Sequence, residues 1–321
     1  MARTIVNRLP VIDRLKRGDR LLMDGATGSE LQRHGADVLR GAKPDALGAW
    51  SATVNVDRPD LVYQVHAGYL DIGADVIISN SFWTSRLRLE TAGLADRWEE
   101  YTRAAGEIAV RARDEHGPNA YVAGGLAPPC MQGVYKRFDP DALLIGEKAL
   151  FEDFSGRAKV LAKTGVDVIL PEYVGHVADC VVAVDACATA GLPVFLGLRH
   201  VTIEGRMQHG ETFDDLARAL RGHPVAAILV MCSRPEAALA SLPNLRKAFD
   251  GPVGAYPNIG YMPLAPLRSG PTADFLARGE YTPESLAEFA RRAVAMGAQI
   301  VGGCCSTGPE HIRAMKPAVK G

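Results

Sequence analysis

The sequence has 321 residues, and its 36 basic and 37 acidic residues exclude a strongly basic surface of the kind that binds nucleic acid. No run of about 18 apolar residues is present, and the first 20 residues lack the continuous apolar segment of a signal peptide. We therefore expect neither a membrane-spanning helix nor secretion. Two of the six cysteines are adjacent, which predicts a reduced, cytoplasmic protein rather than a disulfide framework.

Eight short apolar segments recur along the chain and predict parallel strands that are buried on both faces. In order they cover residues 20–24, 75–80, 121–125, 166–172, 193–198, 227–232, 253–258 and 299–304. The intervening segments have helical spacing, as in Leu61, Val65 and Tyr69 after Pro59. A later helix is predicted to begin after Thr282, which can cap it.

Glycine separates helix from strand at three of these junctions, Gly73, Gly165 and Gly297, as expected where a helix ends. Eight such units without a break in composition predict an α/β protein, a (β/α)8 TIM barrel, with residues 1–321 as a single domain. The alternative is an open doubly wound sheet. Its Gly-x-Gly-x-x-Gly fingerprint is missing from the turn 24–28 after the first strand, so the barrel is favoured.

Residues with chemical function follow several predicted strands. Asp24 ends the first strand, Glu172 the fourth and Cys232 the sixth, and Cys304 and Cys305 end the eighth. A barrel brings all these ends to one face. Three thiolates with one open position form a catalytic zinc site, so we expect the three cysteines to bind Zn²⁺ and to be essential for catalysis.

Ordinary buried cysteines are the alternative explanation, because free cysteine is common in protein cores. We interpret Cys180 and Cys187, in the helix after the fourth strand, as packing residues, and Cys130 also lacks neighbouring ligands. Downstream of the doublet, residues 307–310 read Thr-Gly-Pro-Glu and predict a capping box that begins a helix. The N-terminus of that helix would favour negatively charged sulfur.

Glu172 ends an otherwise apolar strand, where its charge needs a partner. The ammonium group of an amino acid would supply one. Asp24 could instead be a surface or loop carboxylate, or could cap the following turn. The backbone N–H groups of Gly25, Ala26 and Thr27 form a glycine-rich turn that could bind the carboxylate of the same substrate.

Two tryptophans, Trp50 and Trp83, fall in predicted loops on the same face of the barrel. Tryptophan rings attract cations and form the walls of quaternary ammonium sites, so both are candidate donor-binding residues. The alternative is that they anchor the loops by burying apolar area.

Taken together, these segments resemble the homocysteine S-methyltransferase family. The resemblance runs from residues 23–31, Met-Asp-Gly-Ala-Thr-Gly-Ser-Glu-Leu, to residues 302–312, which contain Gly-Gly-Cys-Cys. It implies that zinc is held by Cys232, Cys304 and Cys305. It also implies that Asp24 and Glu172 hold the amino group of homocysteine.

The resemblance leaves the methyl donor open. Trp83 matches an aromatic residue of the betaine-using branch, whereas residues 255–258, Ala-Tyr-Pro-Asn, resemble the S-methylmethionine-using branch. Trp50 matches an aromatic residue found across the family. Met231 stands where the family usually has asparagine, which leaves open whether the acceptor differs.

The activity that this resemblance implies is zinc-dependent methyl transfer from an onium donor to the thiol of homocysteine, giving methionine. Its partners would be small molecules, without nucleic acid or membrane, and the sequence leaves a homo-oligomer open. One alternative is a barrel lyase or isomerase that binds the phosphate of its substrate at Gly302 and Gly303. The other is a non-catalytic protein that binds zinc or thiols.

Overall fold

The structure, a computed structural model, describes residues 8–42, 48–129, 145–207, 209–260 and 281–321. Within these ranges one sheet of eight parallel strands is present, and each strand overlaps one predicted apolar segment. The strands are β1 Leu21–Leu22, β2 Val76–Ile78, β3 Tyr121–Leu126, β4 Val168–Pro171, β5 Val194–Arg199, β6 Val225–Met231, β7 Val253–Tyr256 and β8 Ile300–Val301.

The sheet closes on itself. Hydrogen-bonded neighbours run from β1 through β8, β7, β6, β5, β4 and β3 to β2. A parallel bridge between Met23 and Val76 joins the remaining pair, β1 and β2, and the Asp24 N–H donates to the Val76 carbonyl at 2.9 Å. An open sheet would leave its first and last strands far apart, so the predicted (β/α)8 barrel is confirmed and the doubly wound sheet is excluded.

Helices lie before, between and after the strands, and those that follow α1 surround the barrel. They are α1 Val11–Lys16, α2 Gly28–Arg33, α3 Val54–Asp57, α4 Pro59–Ile72, α5 Arg86–Glu90, α6 Trp98–His116, α7 Glu147–Thr164, α8 Val177–Ala188, α9 Phe213–Ala219, α10 Pro235–Ala248, α11 Pro283–Ala295 and α12 Pro309–Lys320. Short 3₁₀ turns cover Trp50–Thr53 and Ala95–Arg97. No helix in the described ranges is long and apolar enough to cross a bilayer.

The predicted helix boundaries agree with the structure at most positions. Pro59 occupies the first turn of α4, and the Thr282 hydroxyl accepts a hydrogen bond from the Ser285 N–H at the start of α11. Gly73 and Gly165 end their helices with φ values of 99° and 95°, a left-handed backbone that residues with a Cβ rarely adopt. These local signals therefore identified the junctions correctly.

The capping box predicted for residues 307–310 is wrong by one residue. Gly308 caps α12, and its N–H donates to Nδ1 of His311 at 3.1 Å. Thr307 does not cap because its hydroxyl donates to the carbonyl oxygen of Cys304. This hydrogen bond closes the turn that carries the cysteine doublet.

The interior of the barrel is filled by side chains and is not a pore. Val76, Phe195 and Leu229 belong to an interior cluster that is separate from the core between the sheet and the helices. α1 contributes Val11 and Leu15 to this cluster. Sulfur-containing and aromatic side chains from the C-terminal ends of the strands join the same cluster, and they form the candidate site.

Candidate active site

Three cysteine sulfur atoms converge at the C-terminal end of the barrel. Cys232 follows β6, and Cys304 and Cys305 follow β8. The Sγ atom of Cys305 lies 4.0 Å from that of Cys232 and 3.8 Å from that of Cys304, and all three atoms lie within 4.8 Å of one another. Thiolates around a tetrahedral zinc ion, bound at ~2.3 Å, are separated by about 3.8 Å. The three side chains therefore fit a tri-thiolate zinc site.

β7 lies between β6 and β8, and the residues that follow it hold the cysteines in place. The Cys232 N–H donates to the Tyr256 carbonyl at 3.1 Å, and the Cys304 N–H donates to the Pro257 carbonyl at 2.9 Å. The Asn258 amide donates to the Cys232 sulfur at 3.5 Å. Cysteines far apart in the sequence are thus fixed by one intervening strand.

The proximity of the three thiols shifts their acidity. Hydrogen bonds from Cys304 and Cys305 lower the pKa of Cys232, and in turn the interaction with Cys232 raises the pKa of both partners. Three sulfur atoms at these distances can hold one negative charge, but three charges would repel each other strongly. A bound dication would remove that repulsion, so the donor set suits a metal such as zinc.

The other cysteines differ from this group. Cys180 and Cys187 are fully buried in α8, as predicted for packing residues, and burial raises the pKa of both thiols. Cys130 lies outside the described residues, so its predicted lack of neighbouring ligands stays a prediction.

Two buried carboxyl groups, those of Asp24 and Glu172, follow β1 and β4 at the same end of the barrel. Asp24 is fully buried; its Oδ2 accepts a hydrogen bond from the Ile78 N–H at 2.8 Å, and its Oδ1 has no hydrogen-bond partner among the described residues. Glu172 accepts a hydrogen bond from the Tyr256 hydroxyl at 3.1 Å. Burial raises the pKa of both groups, and together with a smaller contribution from the Cys232 thiolate it raises that of Glu172 to about 8. A cationic ligand would offset this burial cost.

Two glycines make room for the Glu172 carboxyl group. A Cβ on Gly125 would lie 2.4 Å from Oε1 of Glu172, and a Cβ on Gly197 would lie 2.6 Å from the Tyr256 hydroxyl oxygen. Backbone atoms of β3 and β5 therefore pack directly against the side chain between them. Tyr256 was not recognised as a site residue in the sequence, although it lies in the segment that resembles the S-methylmethionine branch.

Met231 closes the same side of the site. Its Sδ accepts a hydrogen bond from the Tyr173 N–H at 2.9 Å and faces the Tyr256 hydroxyl at 3.4 Å. The single hydroxyl proton of Tyr256 is therefore offered to either Glu172 or Met231. The thioether thus takes part in the hydrogen-bond network next to Cys232.

The predicted carboxylate-binding turn is tied to the cysteine turn. The Ala26 N–H donates to the Thr307 carbonyl at 2.9 Å, and a Cβ on Gly25 would lie 2.3 Å from the same oxygen. The Ala26 N–H is therefore already hydrogen-bonded within the protein. The predicted roles of Gly25 and Thr27 remain predictions.

Trp50 lies in a 3₁₀ turn rather than in an irregular loop. A Cβ on Gly28 would lie 2.2 Å from its indole nitrogen, so the ring packs against the Gly28 backbone. The segment is fixed to the end of β2 by Asn80, whose amide donates to the Ser51 carbonyl and to the Asn55 side chain, both at 2.9 Å. Trp50 is half-buried and packs against the interior cluster.

Trp83 is only 5% exposed, and the Arg88 guanidinium lies 4.3 Å from the centre of its ring. One face of this indole is therefore already covered by a cation. Phe82 and Tyr173 complete the aromatic group, with the ring centre of Phe82 at 5.5 Å from Trp83 and 5.7 Å from Tyr173. Neither Phe82 nor Tyr173 was identified as a candidate from the sequence. The available signal was that Phe82 directly precedes Trp83 and that Tyr173 directly follows Glu172.

Among the described residues, five that are not glycine have a positive φ: Trp50, Tyr173, His200, Cys232 and Ser306. Trp50 begins a 3₁₀ turn, and the other four lie in the segments that follow β4, β5, β6 and β8. A left-handed backbone costs about 1–2 kcal/mol for a residue with a Cβ. Such strain is typically retained where side chains must take positions that function requires.

Known proteins resemble this chain along most of its length. Residues 21–319 match the family model described as homocysteine S-methyltransferase. Homocysteine S-methyltransferase 4 of Zea mays is 28% identical over 93% of this chain and 89% of its own length. The S-methylmethionine–homocysteine S-methyltransferase BHMT2 of Pongo abelii is 27% identical over 95% of this chain and 80% of its own length.

Among solved structures, the metallated form of the homocysteine methyltransferase MmuM from Escherichia coli superimposes with a TM-score of 0.75. It is 24% identical to this chain, and the match covers 96% of this chain and 99% of that one. The likeness to this structure concerns the fold. The family-model match spans nearly the whole barrel, and the chain therefore belongs to the homocysteine S-methyltransferase family.

Proposed function

We propose that this protein transfers a methyl group from an onium donor to the sulfur of homocysteine, giving methionine. The observation that carries the proposal is the position of three cysteine sulfur atoms, within 4.8 Å of one another, beside two buried carboxyl groups. Family membership supports the same activity, as do the names of the Zea mays and Pongo abelii relatives.

We assign Cys232, Cys304 and Cys305 as zinc ligands. The open fourth position of such a site would let zinc stabilise the thiolate of homocysteine at neutral pH, where a free thiol is mostly protonated. MmuM, which has the same fold, was solved in a metallated form, and this supports a metal site in this chain. In this chain the zinc assignment rests on the three cysteine sulfur atoms.

Asp24 and Glu172 are assigned to the ammonium group of homocysteine. Within the part of the chain that the structure describes, Asp24 Oδ1 is buried without a hydrogen-bond partner, and an ammonium N–H would satisfy it. A positive ligand would also stabilise the ionised form of Glu172, whose pKa burial raises. Gly25 and Thr27 remain the proposed ligands of the substrate carboxylate.

Trp50 and Trp83 are assigned to the methyl donor, together with Phe82 and Tyr173. Because Arg88 covers one face of Trp83, we propose that an onium ligand contacts the aromatic group mainly through the half-buried rings of Trp50 and Phe82. A betaine-like ammonium and an S-methylmethionine-like sulfonium both fit such walls. The relative from Pongo abelii is named for S-methylmethionine, which favours the sulfonium.

In this arrangement the protein positions both substrates and excludes water. The reaction requires the donor methyl carbon in line with the acceptor sulfur, at about 3–3.5 Å. The C–S or C–N bond of the donor breaks as the new C–S bond forms, and the positive charge of the donor and the negative charge of the thiolate are both lost. A dry, aromatic-lined site favours this step because water stabilises separated charges.

The two alternatives fit less well. The N–H groups of Gly302 and Gly303 donate to the carbonyls of Ala255 and Asp24 at 3.1 and 2.9 Å, so this turn does not offer them to a phosphate. A protein that only bound zinc would have no use for the buried carboxyl groups of Asp24 and Glu172, which destabilise the fold unless they serve a ligand.

We further propose that residues 1–321 act as one domain in the cytoplasm, on small molecules rather than on nucleic acid or membranes. The described cysteines, which include Cys180 and Cys187, form no disulfide and suit a reducing compartment.

The decisive experiment combines metal analysis with a donor panel. We expect about one zinc per chain, and methionine formation from homocysteine with S-methylmethionine or glycine betaine. Absence of methionine with every onium donor, in protein that contains zinc, would refute methyl transfer. Activity unchanged after complete zinc removal would refute zinc dependence.

A further inference from the structure

The Tyr69 hydroxyl joins two turns of the candidate site. Tyr69 lies on α4 and is fully buried in the core between the sheet and the helices. Its hydroxyl oxygen lies 3.0 Å from the Ala26 carbonyl oxygen and 3.0 Å from the Thr307 carbonyl oxygen. Ala26 belongs to the turn proposed to bind the substrate carboxylate, and Thr307 follows the cysteine doublet. An outer helix is thus tied to both turns, and the reaction proposed above gives this hydroxyl no role.

The hydroxyl acts as a hydrogen-bond donor to the first of these turns. Burial raises the pKa of Tyr69 well above its usual value, so the proton stays on the oxygen at neutral pH. The Thr307 carbonyl already accepts the Ala26 N–H at 2.9 Å, whereas Tyr69 is the donor to the Ala26 carbonyl within the part of the chain that the structure describes. A Cβ on Gly25 would lie 2.8 Å from the hydroxyl oxygen. The backbone of the turn therefore packs directly against this hydroxyl.

The hydrogen bond to the Ala26 carbonyl sets the direction of the next N–H group. The Ala26 carbonyl and the Thr27 N–H belong to one planar trans peptide, so they point in opposite directions. Because the carbonyl faces Tyr69 on the outer side of the barrel, the Thr27 N–H points away from α4. Among the described residues, no acceptor bonds to this N–H. The turn therefore keeps one oriented donor available for a ligand.

We propose that Tyr69 is a positioning residue that holds the Ala26 carbonyl and so orients the Thr27 N–H towards the carboxylate of homocysteine. The inference rests on the proposed function, in which Gly25 and Thr27 bind this carboxylate. A donor that is fixed before the substrate arrives needs no further ordering on binding. The hydrogen bond to the carbonyl also polarises the N–H of the same peptide, which strengthens it as a donor.

The test compares two thiols that differ only in the carboxylate. Tyr69→Phe removes the hydroxyl and keeps the ring that packs in the core. Tyr121→Phe is the matched control, because Tyr121 is also buried and its hydroxyl donates to a backbone carbonyl, that of Leu9. Calorimetric titration of the zinc-loaded proteins measures the affinity for homocysteine and for 3-amino-1-propanethiol, which is homocysteine without its carboxylate. Zinc analysis and thermal unfolding accompany each titration.

We expect Tyr69→Phe to bind homocysteine about 2- to 12-fold more weakly, the effect of losing one neutral hydrogen bond. Its zinc content and its affinity for 3-amino-1-propanethiol should match those of the wild type, and Tyr121→Phe should bind both thiols normally. Equal loss for both thiols, or no loss for homocysteine, would overturn the inference. A wild-type protein that binds both thiols equally would refute carboxylate recognition by Gly25 and Thr27, and the role of Tyr69 with it.

Discussion

Glu172→Gln tests how the protein recognises the amino group of its substrate. The new amide has nearly the volume of the carboxyl group, and its carbonyl can still accept the hydrogen bond that the Tyr256 hydroxyl donates at 3.1 Å. Burial raises the pKa of Glu172 to about 8, so the ligand-free protein already holds this group largely neutral at pH 7. The substitution should therefore leave folding almost unchanged.

Binding of homocysteine should weaken substantially. A hydrogen bond to a charged group contributes about 1.5–3 kcal/mol, and each 1.4 kcal/mol corresponds to a tenfold change in affinity. The ammonium group would lose one such interaction in the variant but would keep Asp24. We therefore expect homocysteine to bind about 10- to 150-fold more weakly.

The assay is isothermal titration calorimetry on the zinc-loaded protein with two ligands. Homocysteine carries the ammonium group, and 4-mercaptobutyrate is the same molecule without it. The variant should bind 4-mercaptobutyrate as tightly as the wild-type protein does. Equal loss of affinity for both ligands would mean that the substitution disturbs the sulfur site, and no loss for homocysteine would place the ammonium group elsewhere.

Three further predictions follow from the same geometry. Cys305→Ala should lose most of its zinc by metal analysis, whereas Cys187→Ala, a buried thiol of α8, should retain it. Trp50→Ala should raise the KM of the donor by several-fold to about 30-fold, with zinc content nearly unchanged; equal loss of zinc would make Trp50 a structural anchor. Burial lowers the pKa of His66 to about 4, and no described residue forms a hydrogen bond with its ring. Acid therefore destabilises the fold, because the unfolded chain takes up a proton that the folded protein does not. The free energy of unfolding, measured with urea, should lose about 2 kcal/mol from this residue between about pH 7.5 and pH 5. His66→Phe should abolish that part, and a pH-independent difference between variant and wild type would contradict it.

Local patterns in the sequence were sufficient to predict the barrel and the group of cysteines. Continuous apolar segments identify strands buried on both faces, and a glycine at a helix end marks the junction without reference to distant residues. Once the strands are ordered in a barrel, topology alone brings Cys232 close to Cys304 and Cys305, because strand ends share one face.

Only the tertiary structure decided which groups within the site are already paired. The Ala26 N–H is taken by the Thr307 carbonyl, Arg88 covers one face of Trp83, and the His200 ring contacts the Tyr173 hydroxyl. Each of these pairs depends on loops whose backbone angles no local pattern specifies. A left-handed residue such as His200 turns its side chain towards the site, and that conformation is stabilised by its neighbours rather than by its own sequence.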